Sequence, residues 1–316
     1  MAGEHPETLS AELADMVQRV RDDREHGASW LAHEAVRALA VASQPGDTHH
    51  AIARLDALHA AAAAFVAARP SMAAVANSAA RVWAAACQSD AAPPARLDAA
   101  HEAAQTLLQT WDDAAAAIYR EALPLLTGTV FTHSRSGTVE AVLRHLAASG
   151  DASKHEAFVT ESRPGGEGVA LARSLAASGW HVTLVADAAC GHFVGEANVV
   201  VLGADSIRAD GSVVNKIGSY PLALAARAAQ MPVCVLCETR KVAAPDFPLV
   251  YEEMDPREIL PEATPGITPR NVYFDRTPSD LISYIVTEQG VLARDEVRRL
   301  SVDAGAALDL LKERAP

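Results

Sequence analysis

From about residue 8 to residue 126, apolar residues return at steps of three and four. Leu9, Leu13, Met16, Val17 and Val20 set the pattern early, and Leu107, Leu108, Trp111 and Ile118 continue it late. That spacing is the period of an α-helix. Alanine, the best helix former, fills many of the positions between. Two stretches, SQPGD (43–47) and DAAPPA (90–95), carry the residues of loops and break the run. The pattern predicts an all-helical domain over residues 1–126, with alanine-rich helices thin enough to pack closely.

At Thr127 the texture changes. Short β-rich runs now alternate with helical ones: TVFTH, AVLRHLAAS, EAFVTE, GVALARSLAASG, HVTLVAD, VVVLGAD, YPLALAARAAQ and PVCVLCE. Such alternation predicts βα units on a parallel sheet covered by helices, an α/β domain over residues 127–316. Ligands bind such sheets at the carboxyl ends of the strands. Five polar clusters fall there: THSRSG, TESRPGGEG, DAACGH, GADS and ETRK.

Several of these clusters carry candidate chemistry. In TESRPGGEG, Arg163 precedes glycines and a helix start, an arrangement suited to holding a phosphate through backbone N–H groups and a guanidinium fork. The glycines at 165, 166 and 168 do not spell GxGxxG, so a nicotinamide-dependent oxidoreductase is poorly supported. Asp205 ends an apolar run and is a candidate acid/base or hydroxyl ligand, or else a helix cap. Asn215 and Lys216 follow a polar turn. Lysine supplies a point charge for phosphate and asparagine supplies hydroxyl hydrogen bonds, so the set suits a phosphorylated sugar. REHGAS ends in a Gly-Ala-Ser helix start, a second candidate anion cradle. Cys190, followed by Gly191 and His192, is either a thiolate whose pKa His192 lowers or a small wall residue. CVLC (234–237) lies in a predicted buried strand and reads as two small apolar fillers, and His49 and His50 as solvated.

Composition narrows the classes. The formal charge of -13 argues against a nucleic-acid partner, which requires basic surface. No apolar run nears the roughly 18 residues of a membrane span. The acidic, amphipathic N-terminus does not read as a signal peptide. Four cysteines in 316 residues do not make a disulfide framework, so a reducing cytoplasm is expected. No metal or cofactor is expected.

With these residues in place, the chain resembles one superfamily. It joins the alpha, beta and delta subunits of translation initiation factor 2B with isomerases of ribose 1,5-bisphosphate and methylthioribose 1-phosphate. The matching stretches are DREHGAS, VFTHSRSGTVEAVL, TESRPGGEG, VVLGADSIRADGSVVNKIGSYPLALAAR, CETRKV and NVYFDRTPSDLISYIVTEQGVL. The resemblance implies a helical domain followed by a Rossmann-like one, with a homodimer or higher assembly formed through the C-terminal domains. It implies Arg24, Gly27, Ala28 and Arg163 as phosphate contacts, and Asp205, Asn215 and Lys216 as sugar contacts. His133 and Ser134 would line the same site. Asp205 matches the isomerases' catalytic aspartate. Their catalytic cysteine follows a Thr-His pair, and here that position is Ser134. A thiol has a pKa of about 8.5, and a serine hydroxyl gives up its proton far less readily.

Two readings stand. One is a sugar-phosphate or nucleoside-monophosphate binder that is regulatory or runs altered chemistry. The other is an aldose–ketose isomerase in which Cys190 replaces the missing thiol.

Overall fold

The computed structural model describes residues 9–23, 26–46, 48–87, 91–150, 155–251 and 253–313. They form two compact units. One comprises Met1–Asp113, Arg240–Pro248 and Arg299–Pro316; the other comprises Ala114–Thr239 and Leu249–Arg298.

The first unit is helical. Its elements are α1 (Ala11–Asp22), α2 (Ala28–Ala42), α3 (Ala51–Ala68), α4 (Ala73–Cys87) and most of α5 (Pro93–Ala122). Ser10 caps α1 by accepting from the N–H of Leu13 at 3.3 Å, and Leu13, Val17 and Val20 form its buried stripe. A break at residues 69–72, around Pro70, separates α3 from α4 and was not read from the sequence. Leu31, Leu39, Leu58, Phe65, Trp83 and Leu97 are fully buried, and alanines between them bring helices close. The late segment 240–248 joins this unit through Asn77, whose amide donates to the carbonyls of Arg240 and Val242 at 2.7 Å each. The Arg240 guanidinium lies 3.3 Å from the centroid of the Trp111 ring.

The apolar run of α3 is longer than the sequence reading expected. The 18 residues of α3, with a mean hydropathy of 1.4, are long and apolar enough to cross a bilayer. Leu55, Leu58, Ala61, Ala62 and Phe65 are nevertheless buried, and α3 packs on α1, α2 and α4. It is a core helix of its unit.

The second unit carries the sheet. Its order of elements is β1 (Val130–Thr132), α6 (Gly137–Ser149), β2 (Glu156–Thr160), α7 (Glu167–Ala177), β3 (His181–Val185), α8 (Cys190–Phe193) and β4 (Val199–Leu202). Then come β5 (Ser206–Ile207), β6 (Val213–Lys216), α9 (Ser219–Ala228), β7 (Val233–Leu236), β8 (Phe274–Thr277), β9 (Tyr284–Thr287), β10 (Gly290–Val291) and α10 (Arg294–Lys312), which ends in the first unit. The large sheet runs β10-β9-β7-β4-β1-β2-β3. All its pairings are parallel except β10 on β9. β4 and β7 are apolar and buried throughout, as strands covered on both faces must be. Val130, Val159, Val201, Leu143, Leu171 and Leu175 lie at the centre of the core.

The order of strands matters for the site. From β1 the chain builds outward to β2 and β3, then returns to β1's other side with β4 and continues to β7. Strand order therefore reverses between β1 and β4, and a crevice opens outside their carboxyl ends. A second sheet, β5-β6-β8, is antiparallel and was not read from the sequence.

Candidate functional site

The ends of β1, β2 and β3 are tied to one another. His133, just past β1, is 2% exposed. Its Nε2 lies 2.7 Å from the carbonyl oxygen of Ile217, and its Nδ1 lies 2.6 Å from Oγ1 of Thr160 at the end of β2. Burial lowers the pKa of this imidazole below its usual 6.5, with nearby Lys216 adding to the effect. A carbonyl oxygen only accepts, so a neutral ring places its proton on Nε2 and accepts the Thr160 hydroxyl at Nδ1. Both ring nitrogens are thus engaged by the protein itself. His133 is a strut under the loops, and no polar atom of it remains for a ligand.

Asp187, past β3, holds the β2 loop. Its two carboxylate oxygens accept from the backbone N–H groups of Ser162 at 2.8 Å and Arg163 at 2.6 Å. Ser134 and Ser162 both have left-handed backbones, with φ of 61° and 60°, and both are buried. Such φ values are rare outside glycine and cluster at functional sites. Here two occur at the ends of neighbouring strands.

Asn215 and Lys216 lie on β6 itself, where neighbouring residues face opposite ways. The register of β6 with β8 sets Asn215 opposite Asp275. The β5–β6 register, continued by one residue, sets Asp205 opposite Asn215, and the Asp205 N–H donates to Val214 at 2.9 Å. Asp205, Asn215 and Asp275 thus share one level of the small sheet. Asp205 does not end β4 as expected; it sits at the bend into β5. The Asn215 amide donates to Ser219 at 2.8 Å. Beside it, Gly203 has no room for a side chain: a Cβ there would lie 2.5 Å from Ser136 and 3.8 Å from the Asn215 oxygen. This is the mouth of the β1–β4 crevice.

Lys216 turns to the other face. Its ammonium is 2.7 Å from Glu167 at the start of α7 and 3.5 Å from the centroid of the Tyr273 ring. One of its three protons is therefore committed to a carboxylate. Gly166, with φ of 74°, caps α7, as the glycine-rich turn predicted. Arg163 donates to the Glu258 carbonyl at 2.9 Å, and its side chain has no carboxylate partner among the described residues. Arg163 and Ile217, the residue after Lys216, line one pocket.

Asp275 joins β8 to the start of α9, accepting from the N–H groups of Gly218 at 2.8 Å and Tyr220 at 3.1 Å. Burial raises its pKa to about 6 against these two bonds. Gly218, at φ 107°, leaves space for the His133 ring, which would lie 2.5 Å from a Cβ.

Cys190 opens α8, five residues past β3, and does not end a strand. Burial pushes its thiol pKa up, and Asp187 adds to that, so the expected lowering by His192 is corrected. His192 meets Phe193 edge-on at 4.7 Å instead. Cys234 and Cys237 are buried, and burial pushes the Cys234 thiol up to about 12. In the first unit, Gly27 caps α2 without a side-chain bond and Ala28 is buried. Arg24 lies outside the described residues. Glu167, Asp187 and Asp275 were missed by sequence reasoning, although Asp187 has the same strand-end signature as Asp205.

The sequence model of the Initiation factor 2 subunit family matches residues 24–294. A ribose 1,5-bisphosphate isomerase of Archaeoglobus fulgidus is 39% identical over 169 residues, 52% of this chain and 53% of that protein. A methylthioribose-1-phosphate isomerase of Geotalea uraniireducens is 34% identical over 210 residues, 60% of each chain. The chain thus spans about half the length of the curated relatives it matches most strongly. The crystal structure of Pyrococcus horikoshii OT3 translation initiation factor eIF-2B has a TM-score of 0.76 at 29% identity, covering 90% of this chain and 98% of that one.

His133 and Asp275 give opposite pH dependences. The lowered His133 pKa favours the fold above about pH 6.5, and that contribution is lost as pH falls from there through the lowered folded-state value. The raised Asp275 pKa favours the fold below its ordinary 3.8, and that contribution is lost as pH rises through about 6. Asp275→Asn removes only the second. Urea unfolding should show the variant gaining stability relative to the native protein as pH rises from about 4 to about 7. A difference that stays constant over that range would show that Asp275 titrates normally.

Proposed function

From its place in the initiation factor 2 subunit family, to which this chain belongs, we propose that it binds a phosphorylated sugar or a nucleoside monophosphate at the β1–β4 crevice. The observation that carries this reading is the level shared by Asp205 and Asn215 beside the bare backbone of Gly203. A carboxylate and an amide there suit the hydroxyls of a ribose. Lys216 and Arg163 supply the positive charge for phosphate, with the Ser134 hydroxyl as a further contact. The role is regulatory, or it uses chemistry that does not depend on a thiol at position 134.

The second reading, an aldose–ketose isomerase, is favoured by relatives bearing isomerase names. Asp205 would then act as acid/base. The raised Cys190 pKa leaves a protonated thiol at neutral pH, a poor replacement for the cysteine absent at Ser134.

Ribose 1,5-bisphosphate and methylthioribose 1-phosphate, offered to the protein in thermal-shift and turnover assays, test both readings. A ligand at a hundred times its Kd adds about 2.7 kcal/mol to stability. Lys216→Ala and Asp205→Asn should each weaken binding by about 1.5–3 kcal/mol, the range for hydrogen bonds to charged groups. Binding without turnover, with activity gained in Ser134→Cys, is the expected result. Native turnover that survives in Cys190→Ser would favour the isomerase without a migrated thiol. Unchanged affinity in both binding variants, with folding intact, would remove the site.

The assembly proposed is a homodimer through the sheet edge. Of the apolar residues in the late segment, Phe274 and Leu281 are buried within the chain. Tyr284 on β9 and Val291 on β10 remain exposed, at 39% and 46%. Light scattering at micromolar concentration should give twice the 33.2 kDa of one chain. A single-chain mass would contradict this arrangement.

A further inference from the structure

We propose that a pocket of about 320 Å³ in the second unit, which adjoins the proposed sugar-phosphate set at Arg163, is a second binding site, for a small organic anion with an apolar body. It is lined by Arg163, Pro164, Ile217, Ile259, Asn271 and Val272, with Arg270 completing the wall. Its volume falls at the lower end of ligand cavities, roughly 300–1,000 Å³. Four of the seven lining residues are apolar, more than a bare sugar phosphate would use. Both of its charged residues are arginines.

The carboxylates nearby are already engaged. Glu258 accepts from the Asn271 amide at 2.8 Å and from the Tyr273 hydroxyl at 2.6 Å. Glu253 pairs with Arg270. Arg163 spends one N–H on the neutral carbonyl of Glu258, and its guanidinium charge meets no carboxylate among the described residues. Arg270 is paired with Glu253, so the cationic contact the pocket offers an anion is the Arg163 guanidinium, which has no carboxylate partner among the described residues. An anion placed there gains a planar guanidinium fork, and its apolar body meets Ile217, Ile259, Val272 and Pro164. Asn271, 2% exposed and also donating to the Asp255 carbonyl at 2.8 Å, fixes the wall. The site shares Arg163 with the sugar-phosphate set but requires neither Asp205 nor Lys216.

Phenyl phosphate is the probe, with inorganic phosphate and phenol as its two halves, each titrated by calorimetry. The native protein should bind phenyl phosphate at least about tenfold more tightly than either half, since each half forgoes one kind of contact. Arg270→Gln and Ile259→Ser, both changes at exposed positions, should each weaken it about tenfold or more. Lys216→Ala should leave its affinity unchanged. Absent binding of phenyl phosphate, inorganic phosphate binding equally well, or full affinity in both pocket variants would overturn the proposal. Loss confined to Lys216→Ala would do so too, by assigning the probe to the sugar-phosphate site, whose own test with the ribose phosphates is independent.

Discussion

A single buried imidazole ties the functional end of this sheet together. His133 receives a hydrogen bond from Thr160 at the end of β2 and donates one to Ile217, at the turn between β6 and α9. Water cannot reach the ring, so both bonds must be made within the protein or the burial would be costly. The turn it holds begins directly after Lys216 and continues into Gly218, whose bare Cα lets the ring approach. Asp275 grips the same turn through the backbone N–H groups of Gly218 and Tyr220. Two polar side chains from different strands thus fix one turn, and that turn sets where Asn215 and Lys216 stand.

The consequence is a site divided by the alternation of a strand. Asn215 shares its level with Asp205 and Asp275, at the crevice where strand order reverses. Lys216 faces Glu167 and the Tyr273 ring. Glu167 beside Lys216 lowers that lysine's net attraction for an anion, whereas Arg163 has no carboxylate partner among the described residues. That division gives the two neighbouring side chains of one short motif separate surroundings. Arg163 also lines a second pocket, with Pro164 and Ile217.

Much of the fold was legible because buried parallel strands and amphipathic helices write simple patterns. The runs VVVL and VCVL are apolar throughout, and each became a strand covered on both faces. The small antiparallel sheet was not legible. β5 has two residues, and β8, FDRT, alternates too briefly to register as a strand. VVNK ends in two polar residues between a polar turn and a helix start, so it does not stand out as a strand, although it pairs on both sides. The charged start of α10 hid a helix whose later turns lie among the helices of the first unit. Asp205, Asn215 and Lys216 could be read because they cluster in sequence. Glu167 and Asp275 matter only through partners about fifty residues away, and no local pattern announces them.

The turn after Lys216 is held by His133 only if the ring is a neutral strut, and nitrogen NMR of the imidazole tests this most directly. At neutral pH the spectrum of His133 should show one protonated nitrogen, Nε2, and one unprotonated nitrogen, Nδ1, with the second proton taken up only below the ordinary histidine pKa of about 6.5. Two protonated ring nitrogens at pH 7, the signature of an imidazolium, would contradict it.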